Sequence, residues 1–168
     1  IEAHYRHGYA FAAAFSTGVM MPMGFEYGWA RRISVVPQDV EAPEPPRFDL
    51  SPFIAGVNRM KAAVPALNEE GPQRLLSRPN DPVVALLRQS ETGAERALTL
   101  INTQDHDTHE LVTEELLAGA GLGYLGARLL LEEVRPGGEP QPTPTQLRVM
   151  PLEVKVLRAA LRPVRQVA

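Results

Sequence analysis

The spacing of apolar residues changes between residues 70 and 80, and this change constrains the fold more than any other feature. Before it, apolar side chains recur every three to four residues in two stretches, residues 3–16 and 51–64. This spacing predicts two amphipathic helices, and Pro65 ends the second of them. We therefore expect helices in the first part of the chain and a different architecture in the rest.

Beyond this boundary, short apolar runs separated by turn residues predict β-strands. The alternation from Leu152 to Val156 is typical of a strand with one solvated face. Residues 122–131 fit either a strand or a helix, and the Pro- and Gly-rich residues 136–144 predict a loop. The predicted strands cover residues 83–88, 97–103, 110–117 and 152–156.

The first part also contains a short apolar run, residues 19–21, which ends at Pro22. A run that is apolar on both faces is typical of a buried parallel strand, although periodicity alone does not distinguish it from a helical turn. Glycines and prolines interrupt residues 23–48, which predicts a long loop. The predicted order is helix, strand, loop, helix and then a meander of short strands.

Composition excludes several classes of protein. The 168 residues suffice for one domain, or for a small domain and part of another. A formal net charge of -3 disfavours a nucleic-acid partner, and no apolar run is long enough to predict a membrane partner. The chain has no cysteine, which is compatible with the reducing cytoplasm, the location that we expect.

One segment matches a known pattern. Residues 17–28, TGVMMPMGFEYG, resemble the eighth-strand segment of glycoside hydrolase family 13, the α-amylase superfamily. That segment commonly has Gly, apolar residues and Pro, followed by Gly-x-Glu. Gly24, Glu26 and the preceding apolar run match it, whereas Pro22 lies further along the strand than is usual.

Further segments resemble this family in the same order. They are similar to the eighth barrel helix and its exit, a strand of the C-terminal domain that ends in Asn, and the closing strands of that domain. The closest likeness is to the group related to maltose-1-phosphate maltosyltransferases. The segments are residues 48–61, 65–72, 97–103 and 147–156.

The resemblance implies an α+β fold. Residues 1–72 would form the last (β/α) unit of a TIM barrel, with helix 7, strand 8 and helix 8. Residues 73–168 would form an antiparallel β-sandwich C-terminal domain. We therefore expect the chain to be the C-terminal part of a larger protein that acts on α-glucans.

The resemblance also implies that the catalytic groups belong to another part of the protein. Family 13 enzymes cleave or transfer α-glucosidic bonds with retention, which needs two carboxyl groups about 5 Å apart. In the family these groups follow earlier barrel strands, and no residue of this sequence matches their motifs. We therefore assign no catalytic residue, metal or cofactor, and expect the chain to be inactive by itself.

Residues after the predicted eighth strand are candidates for substrate binding, because barrel sites lie at the carboxyl ends of the strands. Glu26, Tyr27 and Arg31 are our candidates. In one interpretation, Glu26 or an arginine contacts a sugar. In the other, Glu26 pairs with Arg31 or Arg32 to fix the loop. Tyr27 and Trp29 are either packing residues or platforms for a sugar ring.

Two groups of histidines have ordinary interpretations. His4 and His7 share a helical face, and residues 105–110, DHDTHE, have metal-ligand residue types. Adjacent residues in one turn rarely converge on a metal ion, so we interpret this segment as a solvated turn.

Three functions remain open. The chain either supports the barrel of an α-glucan or maltosyl enzyme, or is a stand-alone module that binds carbohydrate or protein, or forms a structural homo-oligomer. Tyr124 is the only aromatic residue after residue 80, which disfavours a sugar platform in the sandwich. Without the remainder of the barrel, the apolar residues of the first segments cannot all be buried. These are Tyr9, Phe11, Phe15, Val19, Met20 and Met21.

Overall fold

The computed structural model describes residues 1–31 and 44–161. Its helices are α1 (Glu2–Phe15), α2 (Ser51–Ala62) and α3 (Thr113–Gly119), with 3₁₀ helices at Phe25–Tyr27, Pro65–Leu67 and Gly123–Arg128. Its strands are β1 (Gln73–Leu75), β2 (Val83–Gln89), β3 (Glu95–Asn102), β4 (His109–Val112), β5 (Leu129–Val134), β6 (Gln141–Pro142), β7 (Gln146–Val149) and β8 (Val154–Leu161).

Within the described residues, the strands form a six-stranded sheet in the order β1-β2-β3-β8-β5-β6 and a two-stranded sheet of β4 and β7. Every pairing is antiparallel. In the middle of the larger sheet, Leu98 of β3 lies opposite Leu157 of β8. The predicted α+β class with an antiparallel sheet is confirmed.

The helices of the first part pack on one face of the larger sheet. Tyr9, Ala13 and Ala14 of α1 share a core with Ala97 of β3 and Val156 of β8. Small alanine side chains on the inner face of α1 allow its backbone to approach its neighbours closely. α2 and the following 3₁₀ helix add buried apolar residues to this core, namely Ile54, Val57, Met60, Val64, Ala66 and Leu67.

The opposite face of the larger sheet carries the smaller sheet and α3. Leu147 and Val149 of β7 pack with Leu98, Leu100 and Leu157. Residues around α3 and the 123–128 helix cover the remainder of this face, next to β2, β5 and β8. Each face therefore has its own apolar core, and both cores depend on the strands between them.

Two cations are buried where the end of α1 meets α2 and β2. Lys61 Nζ donates to the carbonyl oxygens of Ala13 at 3.0 Å and Ser16 at 2.6 Å, and to that of Leu67. Arg88 donates to the carbonyl oxygens of Ala14 at 3.4 Å and Glu69 at 3.1 Å. Lys61 and Arg88 are 7% and 3% exposed, so they satisfy carbonyl groups at the end of α1 that no intrahelical donor reaches.

The predicted strand at residues 19–21 is wrong, because these residues have no regular secondary structure. No described strand lies beside them to accept ladder hydrogen bonds, and Pro22 has no N–H to donate. The barrel unit, and the division into residues 1–72 and 73–168, therefore stay predictions. Met20 is 96% exposed and Phe15 49%, whereas Tyr9 is buried.

The predicted strand at residues 110–117 is only half correct, because β4 ends at Val112 and α3 follows. Glu114 and Glu115 stand in the first turn of α3, where the helix dipole favours acidic side chains. Leu152 adopts a positive φ of 55° and belongs to a turn, so the closing strand begins later than predicted.

The structure also tests the predictions for residues 122–131 and 136–144. The ambiguous residues 122–131 are a 3₁₀ helix followed by the start of β5. Part of the predicted loop at 136–144 pairs with β5 as the short strand β6. None of the helices within residues 1–31 and 44–161 combines the length and the apolar character needed to cross a bilayer.

We predict that Lys61→Ala lowers the free energy of unfolding by about 2–4 kcal/mol, because buried carbonyl groups lose their donor and the lysine stem leaves a void. Arg59→Ala, an exposed position on the same helix, should change it by less than about 0.5 kcal/mol. Urea denaturation followed by circular dichroism measures both. A loss below about 1 kcal/mol for Lys61→Ala would contradict the proposed role of Lys61.

The same residue should make stability depend on pH. Burial, and secondarily the positive charge of Arg88, lowers the pKa of Lys61 from 10.5 to about 8. Between these values the unfolded chain holds a proton at Lys61 that the folded chain does not. The stability of the wild type relative to Lys61→Met should therefore rise from about pH 8 to 10.5, and equal pH profiles would contradict this.

Candidate functional site

The candidate site is the turn formed by residues 24–28, which contacts the segment just before α2. Phe25–Tyr27 form one turn of 3₁₀ helix between Gly24 and Gly28, which have φ values of 82° and 65°. The N–H of Leu50 donates to the carbonyl oxygen of Glu26 at 2.8 Å, and that of Arg47 to the carbonyl oxygen of Tyr27 at 3.0 Å. These bonds fix the turn against the beginning of α2.

Both flanking positions require glycine for two reasons. A left-handed backbone is strained for other residues. In addition, a Cβ atom at Gly24 would lie 2.3 Å from Trp29 Cε3, and one at Gly28 would lie 2.4 Å from Phe48 Cζ. The aromatic rings therefore occupy the space that glycine leaves free.

Aromatic contacts join the turn to α1. The ring centroids of Tyr5 and Phe25 are 4.8 Å apart, and those of Tyr5 and Phe48 are 5.1 Å apart. Tyr9 packs against Phe25 and donates its hydroxyl hydrogen to Asn58 Oδ1 at 2.8 Å. The turn is thus held between α1 and α2 as part of the helical layer.

The turn contains buried polar atoms without hydrogen-bond partners. Glu26 Oε2 and Trp29 Nε1 are both inaccessible to solvent, and no described residue bonds to either. A buried acceptor or donor of this kind costs free energy unless a partner satisfies it. Glu26 therefore has an acceptor, and Trp29 a donor, without a partner among the described residues.

The predicted substrate-binding residues lie near one another along the chain, but they differ in their exposure to solvent. Glu26 and Tyr27 belong to the turn and are half-buried, and Arg31 is exposed. The rings of Tyr27 and Trp29 are 6.0 Å apart. Arg32, the other predicted partner of Glu26, lies outside the described residues. The assignment of Glu26, Tyr27 and Arg31 to substrate binding stays a prediction.

Glu44 has a role that the sequence did not indicate. Its Oε2 accepts hydrogen bonds from the N–H groups of Ala30 at 2.9 Å and Arg31 at 3.0 Å. The bonds from Arg31 and Ala30 hold the pKa of the Glu44 carboxyl below its usual range. Glu44 thereby fixes the backbone after the turn. A lone glutamate in a Pro-rich stretch gave no signal of this contact.

The histidine groups make structural contacts with neighbouring protein groups. His106 lies between Asp105 and Asp107, and the hydrogen bond with Asp105, followed by the charge of Asp107, raises the pKa of His106. His7 Nδ1 donates to the carbonyl oxygen of Leu152 at 3.0 Å and so ties α1 to the turn before β8. Within residues 1–31 and 44–161, no group of three or more His, Asp or Glu residues could hold a metal ion.

Comparison with known proteins now gives the class of protein that this chain resembles. No protein-family profile matches it. The sequence is similar to the α-1,4-glucan:maltose-1-phosphate maltosyltransferase of Burkholderia pseudomallei, with 35% identity over 99 residues that cover 56% of this chain. The chain spans 9% of the length of that relative.

Solved structures include an isomaltulose synthase mutant from Erwinia rhapontici NX5 in complex with its natural substrate sucrose. It matches with a TM-score of 0.40 and 20% identity, over 62% of this chain and 17% of that one. The sequence similarity to the maltosyltransferase confirms the predicted resemblance. The chain has a region like the C-terminal part of glycoside hydrolase family 13, and specifically like the maltosyltransferase group.

We predict that Gly24→Ala and Gly28→Ala each lower the free energy of unfolding by about 2 kcal/mol, because each adds backbone strain and a clash with an aromatic ring. Gly8→Ala is the matched control. Gly8 lies inside α1 with open space around it, so this change should stabilise the chain by about 0.5–1 kcal/mol. Urea denaturation of the three variants tests this, and equal effects at all three positions would contradict it.

Proposed function

We propose that this chain forms the C-terminal part of an α-glucan-active enzyme of glycoside hydrolase family 13, close to the maltosyltransferase group. In this role it supports the barrel and leaves the catalytic carboxyl groups to the rest of the enzyme. The observation that carries the proposal is the 35% identity to a maltosyltransferase over 99 residues. A cytoplasmic location is part of the proposal, because a chain without cysteine suits a reducing compartment.

The outer face of α1 supports this role. Phe11 and Phe15 stack with ring centroids 5.4 Å apart and are 38% and 49% exposed. The irregular segment after the helix exposes Met20, Met21 and Met23. An apolar surface of this kind is typical of an interface. We propose that the remainder of the barrel covers it.

Glu26 supports a contribution to the substrate site. Its Oε2 has no hydrogen-bond partner in the described part of the chain, and a carboxylate oxygen accepts hydrogen bonds from sugar hydroxyls. Because Oε2 is closed to solvent in this chain, the proposal requires the turn to shift in the longer enzyme. Tyr27 and Arg31, from the same segment, complete the proposed contacts. The reacting carboxyl groups would belong to other barrel strands.

The interface can be tested with Phe11→Asp and the matched control Val112→Asp. These side chains are 38% and 40% exposed, but Val112 lies on the smaller sheet. In the longer enzyme, Phe11→Asp should lower the melting temperature and the rate of maltosyl transfer from maltose 1-phosphate, because it buries a charge at the interface. Val112→Asp should lower neither, because Val112 is the N-cap residue of α3, where an aspartate is favourable.

The isolated 168-residue chain should not turn over maltose 1-phosphate or α-glucans. Turnover by the purified chain would contradict the proposal. If sedimentation instead gives a stable oligomer of this chain that Phe11→Asp dissociates, the face serves self-association, and the structural homo-oligomer would replace the enzyme role.

The role of Glu26 can be tested separately in the longer enzyme. We predict that Glu26→Gln raises KM for the glucan about tenfold, since it replaces a charged hydrogen bond by a neutral one. Glu114→Gln, an exposed glutamate on α3, is the control and should leave KM unchanged. An unchanged KM in Glu26→Gln would contradict substrate binding by this residue and leave the interface proposal intact.

A further inference from the structure

A cleft of about 380 Å³ lies beside the first half of α1 and the first turn of α2, next to adjoining ends of β5 and β8. Its volume is within the range of about 300–1,000 Å³ that is typical of small-molecule sites. Arg6 and His7 line it from α1, and Phe53 from α2. The residues of the 24–28 turn do not line it, so the cleft is separate from the candidate site.

A buried charged network lies at the sheet side of the cleft. Lys155 Nζ donates to Glu133 Oε1 at 2.8 Å and is 3.0 Å from Glu153 Oε1. Arg135 Nε donates to the same oxygen of Glu133 at 2.7 Å. The side chains of Lys155 and Glu133 are 7% and 6% exposed. Apolar residues of similar volume would often stabilise a protein as well as buried ion pairs do, so stability alone does not account for this network.

The network presents hydrogen-bonding groups to the cleft in a fixed arrangement. Arg135 uses its Nε for Glu133, its terminal nitrogens bond to no residue within 1–31 and 44–161, and its side chain is 58% exposed. Arg6 lies over the ring of Phe53, 4.9 Å from the centroid. His7 uses Nδ1 for Leu152, so its Nε2 is also available to a residue or ligand in the cleft.

The mixture of groups indicates the class of ligand. Glu133 and Glu153 neutralise Lys155 and Arg135, and Glu2 pairs with Arg6, so a strongly charged ligand would gain little. Hydroxyl groups both donate and accept, which suits a lining that contains both carboxylates and cationic donors. The apolar part of the lining, which includes Ala10 and Val134, suits the C–H face of a sugar ring.

We propose that this cleft binds a short, uncharged oligosaccharide at a second site, outside the reacting centre. The residues of the cleft indicate a polyhydroxylated ligand. The identification of this ligand as an α-glucan rests on the proposed function. Such a site would hold one portion of a glucan on the C-terminal part of the enzyme while another portion of the same glucan reacts in the barrel.

The test is a titration of the isotope-labelled 168-residue chain with maltotriose, followed by two-dimensional NMR. We expect saturable shifts that centre on Ala10, Val134 and Val154, with a Kd in the millimolar range. Arg135→Gln should weaken binding about tenfold, because Lys155 still pairs with Glu133 while the ligand loses a charged donor. Arg59→Gln, an exposed arginine of α2 outside the cleft, should bind like the wild type.

Three results would overturn the proposal. Maltotriose that gives no saturable shifts up to about 50 mM would exclude the site. Saturable binding of inorganic phosphate alone would make the ligand an anion, and shifts centred on residues 25–29 would assign the sugar to the candidate site instead. Shifts centred on residues 25–29 would contradict the second site but not the proposed function. Inactivity of the longer enzyme on α-glucans would contradict the proposed function, and the cleft could still bind another oligosaccharide.

Discussion

The position of β8 between β3 and β5 is the constraint on which the rest of the structure depends. β8 is paired on both edges along most of its length, and its side chains contribute to the cores on both faces of the larger sheet. Val156 packs under the helices, and Leu157 packs under the smaller sheet. The helical layer, the second strand layer and the charged cleft are all built on the sheet that this strand completes.

Lys61 and Arg88 add a different kind of constraint to this apolar framework. They bind carbonyl groups at the end of α1, and no carboxylate of the described residues forms an ion pair with either. The end of α1 is therefore held by directional bonds in addition to the apolar contacts of Ala13 and Ala14. Because the 24–28 turn packs on α1 through Tyr5 and Tyr9, its location depends on these bonds as well.

Local sequence patterns predicted the elements whose apolar residues are close together in the chain. α1 and α2 follow from their helical spacing, and β2 and β3, which are buried on both faces, follow from apolar runs bounded by turn residues. The pattern failed where long-range partners decide the structure: residues 19–21 have no described strand beside them, and α3 interrupts an apolar run. The glycines and Glu26 of the candidate turn were visible from the family likeness. The contacts of Glu44 and the pairing of Glu133 with Lys155 were not, since they join residues far apart in the chain or in irregular segments.

The central place of β8 also has a kinetic consequence. β3 and β8 are separated by more than fifty residues in the chain, yet they are neighbours in the sheet. Contacts between residues so far apart in sequence slow folding, because the chain must first close a long loop. The closure costs conformational entropy before the contacts contribute any favourable free energy. During synthesis on the ribosome, α1, α2, β2 and β3 emerge before the strand that completes their sheet. Until Val154–Leu161 is translated, the apolar faces of these earlier elements stay open to chaperones and to other nascent chains.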